Sequence, residues 1–292
     1  MNKFCKFILI TWLASCTSQE AMLSSQEETV EDSTALHIAV IPVMDCLPVY
    51  YAERTGLLKE AGLEARLLYH EAQMDVDTTL SFGHAEIGWS DLIRGMRLGN
   101  DFHALAQTKG DWALMAVRGK RINKLQQMKE RMVAITRFSA TDYWCKHIVE
   151  KTDALEQEDV YRPQINNVPL RSGMIQNGLL DAAILPEPYA SYLSELGCTE
   201  LFRTPQEGPH FGIFLAREDS SRREQIQHFL EIYDLAVDKL NEKCFPDSTK
   251  AILRDIYHLP AAYVDTLEIP ILSKLGTGTN EDSIEAKKFL EQ

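Results

Sequence analysis

Short apolar runs, each cut off by a proline or glycine and followed by a stretch with helical spacing, recur along this chain from Leu36 onward. Leu36-His37-Ile38-Ala39-Val40-Ile41 stops at Pro42, as a buried strand does. A helix is predicted over 48–59 and a strand over 63–69. A helix over 74–82 closes at Gly83, and short strands follow at 86–89, 102–107 and 112–117. After the basic turn at 118–121 the alternation resumes with a strand over 132–136. Ser139 or Thr141 is placed to cap a helix whose apolar face is Trp144, Cys145, Ile148 and Val149. Strands are predicted at 164–168, 181–185, 199–202 and 211–216, with helices at 171–177 and 189–196 between them. Ser221-Arg222-Arg223-Glu224 reads as a capping box. It opens a long helix with Ile226, Phe229, Leu230, Tyr233, Val237 and Leu240 on one face. From Asp247 on, the chain reads as mostly helical, interrupted by Pro260, Pro270 and Gly276-Thr277-Gly278. Such alternation, with short loops, predicts a layered α/β structure.

The first residues carry an address. Lys3 and Lys6 precede an apolar core of Phe7–Ile10 and Trp12–Ala14. That core has signal-peptide length and is too short to span a bilayer. It ends in Leu13-Ala14-Ser15-Cys16, which resembles the bacterial lipobox. Either Cys16 is the lipidated N-terminus of an exported, membrane-anchored lipoprotein, or an ordinary signal peptide holds a chance cysteine. The lipoprotein is expected, because charge, length and cysteine position agree. Residues 17–35 are polar and acidic without hydrophobic periodicity and read as a tether.

About 258 of the 292 residues remain, enough for two ordinary domains or one large one. The net charge of −13, with 43 acidic against 30 basic residues and no basic stripe, excludes a nucleic-acid binder. Cys46, Cys145, Cys198 and Cys244 lie far apart and form no Cys-x-x-Cys. They leave open three full disulfide pairings or single buried thiols. The eight histidines show no His-x-x-x-His or His-Glu-x-x-His spacing, and Gly276-Thr277-Gly278 lacks a following lysine. Neither a metal site nor a phosphate loop is expected, and no cofactor.

Several segments resemble one family. These are Ile41-Pro42, Pro48-Val49-Tyr50-Tyr51-Ala52 and Gly56-Leu57-Leu58-Lys59-Glu60-Ala61-Gly62-Leu63, then Thr79 to Gly88, then Ile122 to Thr136, then Gly178-Leu179-Leu180-Asp181-Ala182-Ala183-Ile184-Leu185-Pro186-Glu187-Pro188-Tyr189. In order and spacing they are similar to the sulfonate, nitrate and thiamine-precursor binding proteins, the SsuA-like group of type 2 periplasmic binding proteins. The sequence departs from that pattern at Glu86, where aspartate is commoner, and at Glu130, where glycine is usual. The resemblance spans about 36–216. It implies two α/β lobes, 36–116 plus 210–292 and 117–209, with a ligand held between them. It also implies a monomeric solute-binding protein that serves an ABC permease in the inner membrane, not an enzyme. The alternatives are an enzyme of the same fold, of the pyrimidine synthase or menaquinone-pathway lyase type, and a ligand sensor without transport. The synthase group carries a dense cysteine run that is absent here.

In open α/β sheets ligands sit beyond the carboxyl ends of strands, at helix N-termini. That rule selects four loops. Met44 and Asp45 follow the first strand, and Asp45 either accepts from an amine or ring nitrogen or caps the helix at Leu47. Trp89 and Ser90 follow the third, with Trp89 either stacking on a flat ligand or filling the core, and Ser90 or Asp91 available as a cap. Arg137, Phe138, Ser139 and Thr141 open the second lobe, either as an anion site with an aromatic wall or as a cap with a surface charge. Glu187 and Tyr189 follow the strand at 181–185, where Glu187 either meets a cationic ligand or stabilises a helix dipole. Arg137 argues for an anion, Asp45 and Glu187 for a base. A thiamine-precursor pyrimidine is favoured slightly over a sulfonate or nitrate.

Overall fold

A computed structural model describes residues 34–217, 220–242 and 247–292. The expected leader, Cys16, nearly all of the tether and Cys244 lie outside the described residues. The strands are β1 (Leu36–Val40), β2 (Ala65–Tyr69), β3 (Ile87–Asp91), β4 (Phe102–Gln107), β5 (Trp112–Ala116), β6 (Arg131–Ala134), β7 (Val160–Tyr161), β8 (Ala182–Pro186), β9 (Thr199–Arg203) and β10 (Gly212–Arg217). The helices are α1 (Leu47–Arg54), α2 (Leu57–Glu60), α3 (Gln73–Ser81), α4 (Leu92–Leu98), α5 (Ala140–Glu150), α6 (Val168–Gln176), α7 (Tyr189–Glu195), α8 (Arg223–Asn241), α9 (Asp247–Asp255), α10 (Ala261–Thr266) and α11 (Asn280–Leu290).

Two five-stranded sheets share one plan. The first runs β2-β1-β3-β10-β4 and the second β7-β6-β8-β5-β9. In the first, β1 is parallel to β2 and β3, while β10 lies antiparallel between β3 and β4. In the second, β6 is parallel to β7 and β8, while β5 lies antiparallel between β8 and β9. Each antiparallel strand arrives from the other lobe. The residues placed in the first lobe as 112–116 therefore belong to the second sheet, and the chain crosses between Gln107 and Trp112 and again between Arg203 and Gly212. Strands β1, β3, β5, β8 and β10 are buried almost throughout, which is why they read as unbroken apolar runs.

Three local expectations change. The helix predicted over 48–59 breaks at Gly56, whose φ of +79° favours glycine, and resumes as α2. The strand predicted over 164–168 is reduced to two isolated bridges, Ile135 to Gln164 and Ala72 to Asn167. The Asn167 side chain caps α6 by accepting from the Leu170 amide at 2.7 Å, and Pro169 is tolerated in the first turn. The capping box expected at Ser221 does not mark the start of α8, whose N-cap position is Arg222, without a side-chain cap. Its apolar face packs as read from the spacing: Phe229 and Tyr233 meet Phe214 edge-on.

The C-terminal segment braces the crossings. Gly276 and Gln107 exchange backbone hydrogen bonds at 2.8 and 2.9 Å. Asp282 in α11, 2% exposed, accepts from the Gln107 side chain at 2.9 Å and from the His210 amide at 2.8 Å. Tyr143 of α5 then meets Phe289 of α11 edge-on, so this helix touches both lobes.

Candidate functional site

The carboxyl ends of both sheets face each other, and a cleft partly open to solvent lies between them. Met44, Asp45 and Trp89 line it from the first lobe and Glu187 from the second. The crossing at Lys109–Trp112 forms its floor, and Pro270–Ser273 flank it.

Asp45 belongs to the crossing as much as to the cleft. Its Oδ2 accepts from Thr108 Oγ1 at 2.9 Å and from the Gly110 amide at 3.0 Å, and it does not cap α1. Burial pushes its carboxyl up to about 6, against the pull of those two donors. Gly212 makes this approach possible. A Cβ there would run into Thr108 Oγ1 and come within 3.1 Å of Asp45 Oδ2. Trp89, 2% exposed, donates its indole N–H to Thr108 at 3.1 Å, so it both fills the core and lines the cleft. Tyr233 of α8 donates to the Asp45 carbonyl at 2.9 Å.

Beside it the first lobe holds a closed polar network. Gln73 Nε2 donates to Asp91 Oδ2 at 2.6 Å and to Ser90 Oγ at 3.2 Å, and Ser90 donates to Asp77 at 3.1 Å. Arg94 pairs with Asp77 through two nitrogens, and its Nη1 also donates to the Arg137 carbonyl of the second lobe at 3.3 Å. Asp91 caps α4 by accepting from the Arg94 amide at 2.9 Å. Burial pushes Asp91 up to about 6, opposed by the Arg94 amide, by the Ala140 amide of the second lobe and by Gln73. Burial also raises Asp77, against the Arg94 charge.

From the second lobe, Glu187 accepts from Arg203 Nη1 at 2.5 Å and from the Ser191 amide at 3.1 Å, so a cation and the start of α7 already hold its charge. Ser139 caps α5 by accepting from the Thr141 amide, and Thr141 Oγ1 accepts from the Thr136 amide at 2.9 Å. Both hydroxyls are buried and occupied. Tyr189 is buried and donates to the Tyr257 carbonyl of the first lobe at 3.1 Å. Arg137 and Phe138 are exposed and line a different depression, with Asp142 and Arg162, and Arg97 lies 4.0 Å over the Phe138 ring. The structure thus brings Met44, Asp45, Trp89 and Glu187 together at the cleft. It holds Ser90, Ser139, Thr141 and Tyr189 in hydrogen bonds behind it and turns Arg137 and Phe138 outward.

The lobes touch directly. The Met44 amide donates to the Glu187 carbonyl at 2.9 Å and the Val168 amide to the Glu71 carbonyl at 2.9 Å, while Ala72 and Asn167 form a bridge. Among residues the sequence reading passed over, Gln73, Arg94 and Thr108 hold the site in place. Arg171 of α6 is also buried. Its spacing with Val168, Ser172 and Ile175 puts it on the inward face, a signal the sequence does contain. Among the described residues Cys46, Cys145 and Cys198 are free thiols.

Among solved structures, the chain is similar to the alkanesulfonate-binding protein SsuA of Xanthomonas axonopodis pv. citri bound to MOPS (TM-score 0.72, 15% identity, covering 88% of this chain and 91% of that one). It is also similar to the periplasmic aliphatic sulphonate binding protein SsuA of Escherichia coli (TM-score 0.69, 18% identity, 88% and 87% covered). A third match is PhnD1 of Prochlorococcus marinus in complex with methylphosphonate (TM-score 0.60, 13% identity, 88% and 98% covered). No family model and no curated protein matches the sequence. With its two sheets in shared order, each completed by a strand from the other lobe, this chain has the two-lobed fold of the type 2 periplasmic binding proteins.

Proposed function

We propose that this protein is the solute-binding component of an ABC importer, exported and anchored to the membrane by lipid on Cys16. It closes two lobes over a small organic solute and presents it, as a monomer, to a permease in the inner membrane. The observation that carries this reading is the cleft itself. Strand ends from both sheets line it, the crossing at Lys109–Trp112 lines it between them, and backbone hydrogen bonds such as Met44 to Glu187 pass directly from lobe to lobe. Bonds of that kind form only when the lobes meet, so a solute that contacts both lobes shifts the population toward closure by its differential affinity. Trp89 with Asp45 and Glu187 supports a flat, nitrogen-bearing solute such as a thiamine-precursor pyrimidine. The neighbours named for sulfonates support a sulfonate or nitrate.

The test is a thermal-melt panel on the purified protein with pyrimidines, thiamine, taurine, alkanesulfonates and nitrate, paired with small-angle scattering. A binding protein gains melting temperature saturably with one class, contracts on binding, and returns the solute unchanged. Conversion of the solute to a product would sink the reading in favour of an enzyme.

A further inference from the structure

Between α10 and α11 the chain runs from Leu267 to Thr279 as a strap with no helix or strand beyond one bridge at Gly276, yet its backbone is clamped. Asn241, the last residue of α8, holds both backbone groups of Leu272. Its Oδ1 accepts from the Leu272 amide and its Nδ2 donates to the Leu272 carbonyl, each at 2.8 Å. Asp234 accepts from the Leu275 amide at 2.8 Å, Asp238 pairs with Lys274 at 2.7 Å, and Gly276 bonds to Gln107. Asp234, Asp238 and Asn241 stand four and three residues apart, so α8 offers one polar edge to the strap while Tyr233, Val237 and Leu240 beside it are buried.

This strap reaches the cleft at Pro270–Ser273. Among the described residues that line the cleft, Met44, Trp89 and Trp112 are buried, whereas Ile271 is 78% exposed. The charged side chains around it are already engaged. Asp45 holds Thr108 and Gly110, Glu187 holds Arg203, and Lys109 pairs with Asp111 at 3.5 Å. A single exposed isoleucine elsewhere on a surface is ordinary. One carried on a clamped backbone beside a ligand cleft is a preorganised apolar contact, because covering it costs little further loss of backbone freedom.

We infer that Ile271 is a specificity-determining contact: the strap forms an apolar lip at the cleft mouth and selects for a solute whose alkyl or ring substituent points outward from its polar head. The inference rests on the solute-binding reading and deepens it. It puts recognition of that substituent on a segment that belongs to neither sheet. It also makes Asn241 a positioning residue, which sets the lip through Leu272. Each methylene buried against the lip is worth about a fourfold gain in affinity.

The experiment compares the purified wild type with Ile271→Ser, Asn241→Ala and a control, Ile284→Ser, which removes an exposed isoleucine of α11 that does not line the cleft. Two homologous series are titrated by calorimetry, n-alkanesulfonates and 2-alkyl-4-aminopyrimidines, each from methyl to hexyl. The expected result is that the wild type binds at least one series, with affinity rising about fourfold per methylene over the lengths that reach the lip. In Ile271→Ser the longer members weaken about 5- to 30-fold, as an isoleucine contact is lost, and the methyl member by less than about twofold. Asn241→Ala weakens the longer members in the same way, with faster amide exchange at Leu272. Ile284→Ser changes neither end of the series.

Equal weakening of short and long members in Ile271→Ser overturns the inference, since it marks a general effect on the cleft. So does a wild-type affinity that does not rise with chain length, or a rise that Ile271→Ser and Ile284→Ser reduce alike. Unchanged long-chain affinity in Ile271→Ser, with the protein still contracting in small-angle scattering when it binds, overturns the lip and keeps the solute-binding reading. Long-chain binding that depends on Ile271 without any contraction keeps the apolar contact and removes lobe closure. Binding of no member by the wild type removes the lip and the reading it rests on together.

Discussion

Arg94 in the first lobe and Arg171 in the second are both buried, and their surroundings are opposite. Arg94 gives two nitrogens to Asp77 and one to the Arg137 carbonyl, inside a network in which Gln73, Ser90 and Asp91 also find partners. Arg171 is sealed and unpaired among the described residues. The network around Arg94 is therefore complete in itself, whereas the Arg171 guanidinium is left without a partner. A fully satisfied buried network fixes geometry, whereas an unsatisfied group stores a preference for whatever satisfies it.

The strongest way to break this contrast is to unfinish the first lobe. Asp77→Ala leaves Arg94 buried without its carboxylate and removes the acceptor of the Ser90 hydroxyl. The expected loss is about 3–5 kcal/mol, read as a lower urea midpoint at unchanged denaturant slope. The equivalent deletion in the second lobe, Arg171→Met, has the opposite sign. Equal destabilisation by the two would remove the contrast.

The acid side of the network sharpens it through pH. Asp91, 1% exposed, titrates near 6 in the folded protein against 3.8 ordinarily, because burial outweighs its hydrogen bonds. Between those values the native state holds a proton that the unfolded chain has released. Stability therefore falls as pH rises through the interval, and the penalty is fully present above about 6. At about 1.4 kcal/mol per unit, the share of Asp91 is roughly 3 kcal/mol. Asp91→Asn should flatten the profile by that amount between pH 4 and 7, with Asp45 keeping its own downward slope. Parallel profiles in the two proteins would show that Asp91 titrates normally.

A smaller effect tests whether the brace at the crossings matters equally to both lobes. Asp282→Ala takes one of two acceptors from the Gln107 side chain, strands the His210 amide, and removes the acceptor of the Thr279 amide and hydroxyl at the start of α11. The expected cost is about 1–3 kcal/mol, with faster amide exchange along α11 and at Gln107 and His210. Exchange that rises in α11 alone would mean that the helix ends independently of the crossings.

Much of this fold is written locally. The buried strands declare themselves as apolar runs stopped by Pro42, Pro186 or a glycine, and α8 by its apolar face. What local pattern cannot show is which sheet a strand joins. Trp112–Ala116 reads as the continuation of the first lobe, yet it pairs with β8 and β9. The same holds at the site. The loop rule found Asp45, Trp89 and Glu187, because strand ends are local features. Thr108 and Gln73 escaped it, since their roles depend on partners at Asp45 and Asp91 that only the tertiary fold brings near. Asn167 hid a helix start inside a segment that reads as a strand, and with it the inward face carrying Arg171.

The least disturbing change makes the sharpest distinction between two arginines that charge alone would treat alike. Arg137 follows β6 beside Ser139 and Thr141, where anion chemistry is expected from sequence. There it is the backbone that serves, its carbonyl accepting from Arg94, while its side chain stands exposed at a depression shared with Asp142 and Arg162. Phe138 beside it, at a φ of +53°, is held by Arg97 over its ring. Truncating an exposed side chain leaves that carbonyl and that stacking in place. Arg137→Ala should therefore change stability by less than about 0.5 kcal/mol and leave solute affinity within about twofold, a difference worth only about 0.4 kcal/mol. A large loss of affinity in Arg137→Ala would overturn the outward reading of that side chain. It would also mean that Arg137 turns from its depression into the cleft when the solute arrives.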